Sequence, residues 1–211
     1  MITSYSPPLI VKKLFDDFIW QTSNNKILFT FDDGPTENTT PVILELLAKS
    51  GIRAAFFCVG NNIRRNPELT NQIIKEGHLI ANHTMGHKLL TKMNNNEALE
   101  EIRSFNELMK EKFHYDVKFF RPPHGRFNLR TNGLLKKLHL KNVMWSLLSY
   151  DYENDFEKVK NGIENHLSGN SIVVFHDNLK SISILEESLH YIIEIASKKV
   201  FEFGEPEDCL R

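Results

Sequence analysis

Short apolar runs alternate with amphipathic stretches along most of the chain. Runs rich in β-branched and aromatic residues predict strands at Ile27–Phe31, Arg53–Val59, His78–Ala81, Val117–Phe120, Asn142–Leu147, Ser171–Phe175 and Lys199–Phe203. Between them the apolar spacing lengthens to that of a helix, and the breaks carry helix punctuation. Thr40-Pro41 reads as an N-cap with a first-turn proline, and Gly51 stands past the helix end; Asn66-Pro67 and Gly77 frame the next helix in the same way. Leu99, Ile102, Phe105 and Leu108 recur at helical spacing in the segment from Asn96 to Glu111. Further helices are predicted over Leu129–Leu138, Phe156–Leu167 and Ser181–Ser197.

Strands alternating with helices imply a parallel sheet. About seven such units predict an α/β fold, a barrel, closed or incomplete, with an open doubly wound sheet as the alternative. The chain has 211 residues, 41% hydrophobic and 25% charged, enough for one sizeable core. Residues 1–25 are read as an arm that packs on the barrel through Phe15, Phe18, Ile19 and Trp20, and residues 26–211 as the catalytic domain. Lys12, Lys13, Asp16 and Asp17 interrupt the arm's apolar residues, which fits neither a signal-peptide core nor a spanning helix. A cytoplasmic protein is therefore expected. The formal net charge of −1 supplies no overall basic excess of the kind that nucleic acid or an anionic membrane calls for. Two cysteines make no disulfide framework, and Cys58 in "RAAFFCV" reads as a small hydrophobe in a buried strand.

The residues with chemistry stand just after predicted strands. Asp32-Asp33 follow the first, His83 and His87 the third, Arg121 the fourth, and His176 the sixth. In parallel α/β folds those positions share one rim. Taken singly, each feature has a plain reading: DDGP as an acidic turn, HxxxH as paired surface histidines, RPPHG as a rigid loop, His176 as a hydrogen-bonded residue at the core's edge. Together they describe a site. Two imidazoles at i and i+4 lie on one face if the segment is helical, and with one Asp they make a three-ligand set with open positions, as a catalytic metal requires. The second Asp, held off the metal, is then free to accept a proton, oriented bidentately by Arg121. The prolines of "RPPHG" fix the backbone N–H of His124 as an oxyanion donor, and one such donor is worth about 2.7–4 kcal/mol. His176 is placed to protonate a departing amine.

TFDDGP, HTMGH, RPPHG and an apolar strand ending in His-Asp, in that order, resemble the polysaccharide deacetylases, the NodB-homology group or carbohydrate esterase family 4. The resemblance runs from about Lys26 to Phe203. It implies a distorted (β/α)7 barrel and a divalent metal, usually zinc with cobalt or nickel as alternatives, that removes N- or O-acetyl groups from sugars. It makes Asp32 the general base, Asp33, His83 and His87 the metal ligands, Arg121 the residue that orients Asp32, the His124 amide an oxyanion donor and His176 the general acid. The family's Asp-rich motif after a tryptophan is not kept: Leu148 occupies the place of the histidine's carboxylate partner, and Tyr152 stands where a sugar-stacking tryptophan is common. Either another group supports His176, Asp151 being one candidate, or His176 is less basic and the optimum pH differs. Trp145, Tyr152, Val174 and Pro123 are the expected substrate-contacting residues. The expectation is a metal-dependent deacetylase of an acetylated amino sugar or glycan, with neither nucleic acid nor a membrane span. The alternatives are a non-catalytic carbohydrate binder on a degenerate scaffold and a hydrolase of a non-sugar amide.

Overall fold

The computed structural model describes residues 4–211. Its strands are β1 (Leu28–Asp32), β2 (Ala55–Cys58), β3 (Leu79–Asn82), β4 (Phe119–Phe120), β5 (Lys141–Asn142), β6 (Leu147–Leu148) and β7 (Ile172–His176). All pair in parallel, in the order β5-β4-β3-β2-β1-β7-β6. Followed around a circle from β1, that order runs through β5, skips one seam, and returns through β6 and β7. It is the connectivity of an incomplete (β/α)7 barrel, not the order reversal of a doubly wound sheet.

The helices are α1 (Leu9–Leu14), α2 (Thr40–Ser50), α3 (Gly60–Arg65), α4 (Pro67–Lys75), α5 (Asn95–Phe113), α6 (Leu129–Lys137), α7 (Phe156–His166), α8 (Ile182–Lys198) and α9 (Pro206–Cys209). Local chemistry starts and stops them near the expected places, although Thr40, expected as an N-cap, is the first residue of α2, follows Thr39 and turns its hydroxyl to Asp177. α2 opens with Pro41 in its first turn and ends at Gly51, whose φ of 64° takes the left-handed conformation of a helix stop. α5 opens on a capping box in which Asn94 and Glu97 each satisfy the other's backbone N–H.

Two predicted strands come out differently. Asn142–Leu147 is not one strand: Asn142 ends β5 and Leu147 starts β6, at opposite edges of the sheet. Residues Val143–Ser146 cross the seam between them, so the sheet must curl until its edges lie within about 18 Å. Ile19 from the N-terminal stretch lies in that seam, donating its N–H to Asn142 O at 2.8 Å and accepting from Met144 N at 2.8 Å. Phe18 and Trp20 pack there on Met144, with Phe15 and Phe127 beside them. Lys199–Phe203 is not a strand either. It makes a single bridge, Phe203 to Ile27, because α8 runs to Lys198 and Val200 turns outward at φ 58°.

Side-chain alternation sorts the strands' two faces. Leu28, Ala55, Phe57, Leu79, Ala81, Phe119 and Ile172 cluster inside the barrel. Phe29, Phe31, Phe56, Ile80, Val173 and Phe175 face the other way, into the layer under α2, α5, α7 and α8. The inward parity then carries on to the strands' C-terminal ends. Leu28 leads to Thr30 and Asp32, Leu79 to Ala81 and His83, Phe119 to Arg121, and Ile172 to Val174 and His176. Register pairs Asp32 with His176 across β1 and β7. Residues up to 144 positions apart in sequence thus reach one mouth by counting in twos.

Candidate active site

Asp33, His83 and His87 present ligand atoms that all lie within 4.8 Å of one another. Asp33 Oδ1 is 3.1 Å from His87 Nε2 and 3.8 Å from His83 Nε2. A tetrahedron with metal–ligand distances of about 2.0 Å has edges of roughly 3.3 Å, so the cluster is of the right size. The donor chemistry fits as well. His83 Nδ1 is 2.8 Å from the Arg121 carbonyl, which can only accept, so Nδ1 carries the proton and Nε2 keeps its lone pair for the cluster. Burial outweighs the pull of Asp32 and Asp33 and lowers the His83 pKa to about 4, keeping it in the neutral, ligating form. Burial would raise the Asp33 carboxyl, but the His87 ring and the surrounding imidazoles hold it well below the usual carboxylate range.

The histidine pair does not converge through a helix. His83 to His87 form a loop with Thr84 at φ 69° and His87 at φ 54°. Asp33 (φ 80°), His124 (φ 56°) and Tyr150 (φ 63°) are also left-handed. Each such non-glycine residue costs about 1–2 kcal/mol, and strain of this kind gathers where side chains must be aimed. The Asp33 loop is tied down by its N–H to Phe57 O at 3.2 Å and by Asn62 Nδ2 donating to Asp33 O at 2.7 Å.

Asp32 is 5% exposed, with Oδ2 4.0 Å from His83 Nε2, beside the cluster and outside it. Its other oxygen accepts one N–H from the fully buried Arg121, at 2.6 Å. The expected bidentate fork is not formed. Arg121 directs three further donors to Thr30 Oγ1 (2.8 Å), Val143 O (3.0 Å) and Met144 O (2.8 Å), the last two being carbonyls of the segment that crosses the seam. The Phe57 ring lies 4.0 Å beneath it.

Leu148 lines the cleft, and Asp151 supports His176. Asp151 Oδ1 is 2.8 Å from His176 Nδ1, its Oδ2 accepts the His176 N–H at 2.7 Å, and Ser149 Oγ donates to Oδ1 at 2.7 Å. Burial would depress the His176 pKa, but the Asp151 carboxylate overrides it and the value rises to about 9. A raised histidine pKa contributes stability that is whole below the unfolded value near 6.5 and lost as pH climbs to about 9. Asp151→Asn is expected to remove this. In metal-free protein, the decline of the urea midpoint between about pH 6.5 and 9 should flatten, and an unchanged slope would show that Asp151 does not set the His176 proton affinity.

A cleft of about 870 Å³ opens over these residues. Three of the four expected substrate-contacting residues, Trp145, Tyr152 and Val174, line it, as does the His124 ring, 4.6 Å from that of His87. Pro123 does not: it is buried beneath, where it shapes the turn. Gly125, at φ 63°, lets that turn approach the indole, since a Cβ there would stand 2.2 Å from Trp145 Cη2. The Tyr152 ring meets the His176 ring edge-on at 4.8 Å.

Sequence reasoning gave no role to Asp177, although His176-Asp177 is part of the family resemblance, and did not find Asn178. Asp177 is fully buried, accepts hydroxyl bonds from Thr36, Thr39 and Thr40, and stands so close to Gly34 that a Cβ there would overlap its carboxylate. Burial pushes its pKa up to about 6 against those hydroxyls. Asn178 donates to Asp33 Oδ2 at 2.7 Å. The only signal was position, directly after a strand that ends in histidine.

The sequence profile of the polysaccharide deacetylase family matches residues 20–143. A peptidoglycan-N-acetylglucosamine deacetylase of Bacillus cereus is 33% identical over 197 residues, 91% of this chain and 92% of that protein. Chitin deacetylase 2 of Saccharomyces cerevisiae is 29% identical over 177 residues, 80% of this chain and 55% of that one. A crystal structure of a peptidoglycan N-acetylglucosamine deacetylase in complex with 4-naphthalen-1-yl-N-oxidanyl-benzamide superposes with a TM-score of 0.86 at 25% identity, covering 97% of both chains.

Proposed function

Because the chain belongs to the polysaccharide deacetylase family, we propose that its cleft hydrolyses the acetyl amide of an N-acetylglucosamine unit in a glycan. The observation that carries this is the pairing of Asp32 and His176. They are register partners on β1 and β7, on one face, beside a three-ligand cluster. A carboxylate and an imidazolium flanking one electrophilic position suit the addition of water and the expulsion of an amine.

Asp33, His83 and His87 would hold a divalent ion, zinc in this proposal, which would polarise the acetyl carbonyl and make a neighbouring water acidic enough to lose a proton near neutral pH. Asp32 takes that proton, its geometry fixed by the Arg121 N–H on Oδ1. The His124 N–H donates to the carbonyl oxygen as it gains charge. His176, kept protonated near neutral pH by Asp151, delivers its proton to the amide nitrogen as the C–N bond breaks. Acetate and a free amine leave, and no covalent bond to the protein forms. With Asp151 behind His176, Leu148 is no longer grounds for a degenerate, purely binding scaffold.

The relatives are named for peptidoglycan and for chitin, so the acetylated amino sugar is the part their names share. Among the described residues no helix is long and apolar enough to cross a membrane. A cytoplasmic enzyme, as proposed here, would meet soluble acetylated precursors. The test is acetate release from N-acetylglucosamine oligomers and from solubilised peptidoglycan glycan. Release is expected, abolished by chelator and restored by zinc or cobalt, with short oligomers preferred over polymer. Stoichiometric zinc binding without release from either substrate would overturn the proposal in favour of a binder, and release only from non-sugar amides would redirect it.

A further inference from the structure

Asn178 lies two residues past His176, in the turn that leads from β7 into α8. Its Nδ2 donates to Asp33 Oδ2 at 2.7 Å, and its Oδ1 accepts the Lys180 backbone N–H at 3.0 Å. A backbone N–H can only donate, so the amide has one orientation, oxygen towards Lys180 and nitrogen towards Asp33. The turn is itself anchored at both ends. Ser181 Oγ reaches His176 O at 2.6 Å, and the Asp177 N–H reaches Asp32 O at 2.8 Å. The Asn178 amide is therefore fixed relative to β1 and β7 together.

The two Asp33 oxygens are divided by this arrangement. Oδ1 faces the imidazoles, at 3.1 and 3.8 Å from their Nε2 atoms, while Oδ2 is committed to Asn178. We infer that Asn178 is a positioning residue that makes Asp33 a one-oxygen metal ligand. With Oδ2 held aside, the protein contributes three donor atoms, and the remaining positions stay open for water and the acyl oxygen, as a catalytic metal requires. A free carboxylate could turn both oxygens inward and close one of those positions. Asn178 does this without charge, so the full negative charge of Asp33 remains available to the cation; a lysine in the same place would compete with it. The inference rests on the reading that Asp33, His83 and His87 hold the metal.

Asn178→Ala removes both hydrogen bonds. Asn178→Ser keeps an acceptor for the Lys180 N–H and falls short of Asp33, which separates the carboxylate contact from the turn. Zinc affinity is measured by competition with a chromogenic chelator, and coordination by the visible absorption of the cobalt-loaded protein. Both variants are expected to bind zinc about 10–100-fold more weakly than wild type, and to show a weaker cobalt absorption as Asp33 becomes two-toothed. An unchanged cobalt spectrum in Asn178→Ser overturns the inference, whichever way affinity moves. Failure of the underlying reading looks different: wild type would bind no zinc, or Asp33→Ala would bind it unimpaired.

Discussion

Asp32→Asn is expected to keep its metal and to release acetate about 10²–10⁴-fold more slowly. The amide is the same size as the carboxylate, and Oδ1 can still accept from Arg121 at the position now 2.6 Å away. What is lost is the basic oxygen, Oδ2, that stands 4.0 Å from His83 Nε2. The substitution therefore separates proton transfer from metal binding, which the proposed mechanism assigns to Asp33, His83 and His87. The measurement is kcat beside zinc stoichiometry on the same preparation. Full occupancy with kcat within threefold of wild type would remove Asp32 from the mechanism and move the base elsewhere. Loss of zinc would mean that Asp32 is itself a ligand.

The largest effect on stability should come from Arg121→Ala. The guanidinium is fully buried and serves Asp32, Thr30, Val143 and Met144 at once. Removing it strands a carboxylate that is only 5% exposed and leaves two seam carbonyls without donors. Breaking a buried ion pair from one side costs about 3–5 kcal/mol, a large part of the roughly 5–15 kcal/mol that holds a domain together. For a chain of this size that is a fall in midpoint of roughly 6–20 °C. Arg121→Met replaces the stem and should recover packing against Phe57 without recovering the carboxylate's partner. Differential scanning calorimetry of both variants reads the difference. A fall of under about 2 °C in Arg121→Ala would mean that water or another cation satisfies Asp32.

The chain states part of this plainly. The run from Leu28 to Asp32 is buried throughout and ends in charge, so strand and rim are both legible, and two-residue alternation then tells which side chains share the interior. The histidine pair was legible as a pair and not as a geometry. The loop conformations at Thr84 and His87 are imposed by tertiary contacts, and spacing alone suggests a helix. "NVMWSL" reads as one strand because Val143 and Trp145 favour strands and the run is mostly apolar; that it bridges opposite edges is a property of the closed sheet, and no local window contains it. α3 carries a single fully buried apolar side chain, Ile63, and so offers no periodicity to detect. Asn178 looks like any turn residue until Asp33 is placed beside it, 145 positions away.

The four residues that cross the seam do two things at once. Val143 and Met144 grip the guanidinium through their carbonyls, and the next side chain, Trp145, forms a wall of the cleft. One peptide strap therefore runs from the surface a sugar would press on to the arginine that steadies the reacting carboxylate, and Ile19 clasps it from behind. A push on the indole reaches Asp32 through the Trp145–Met144 peptide link and two hydrogen bonds, Met144 O to Arg121 and Arg121 to Asp32, so the shape of the cleft wall and the aim of that carboxylate are set by the same tether.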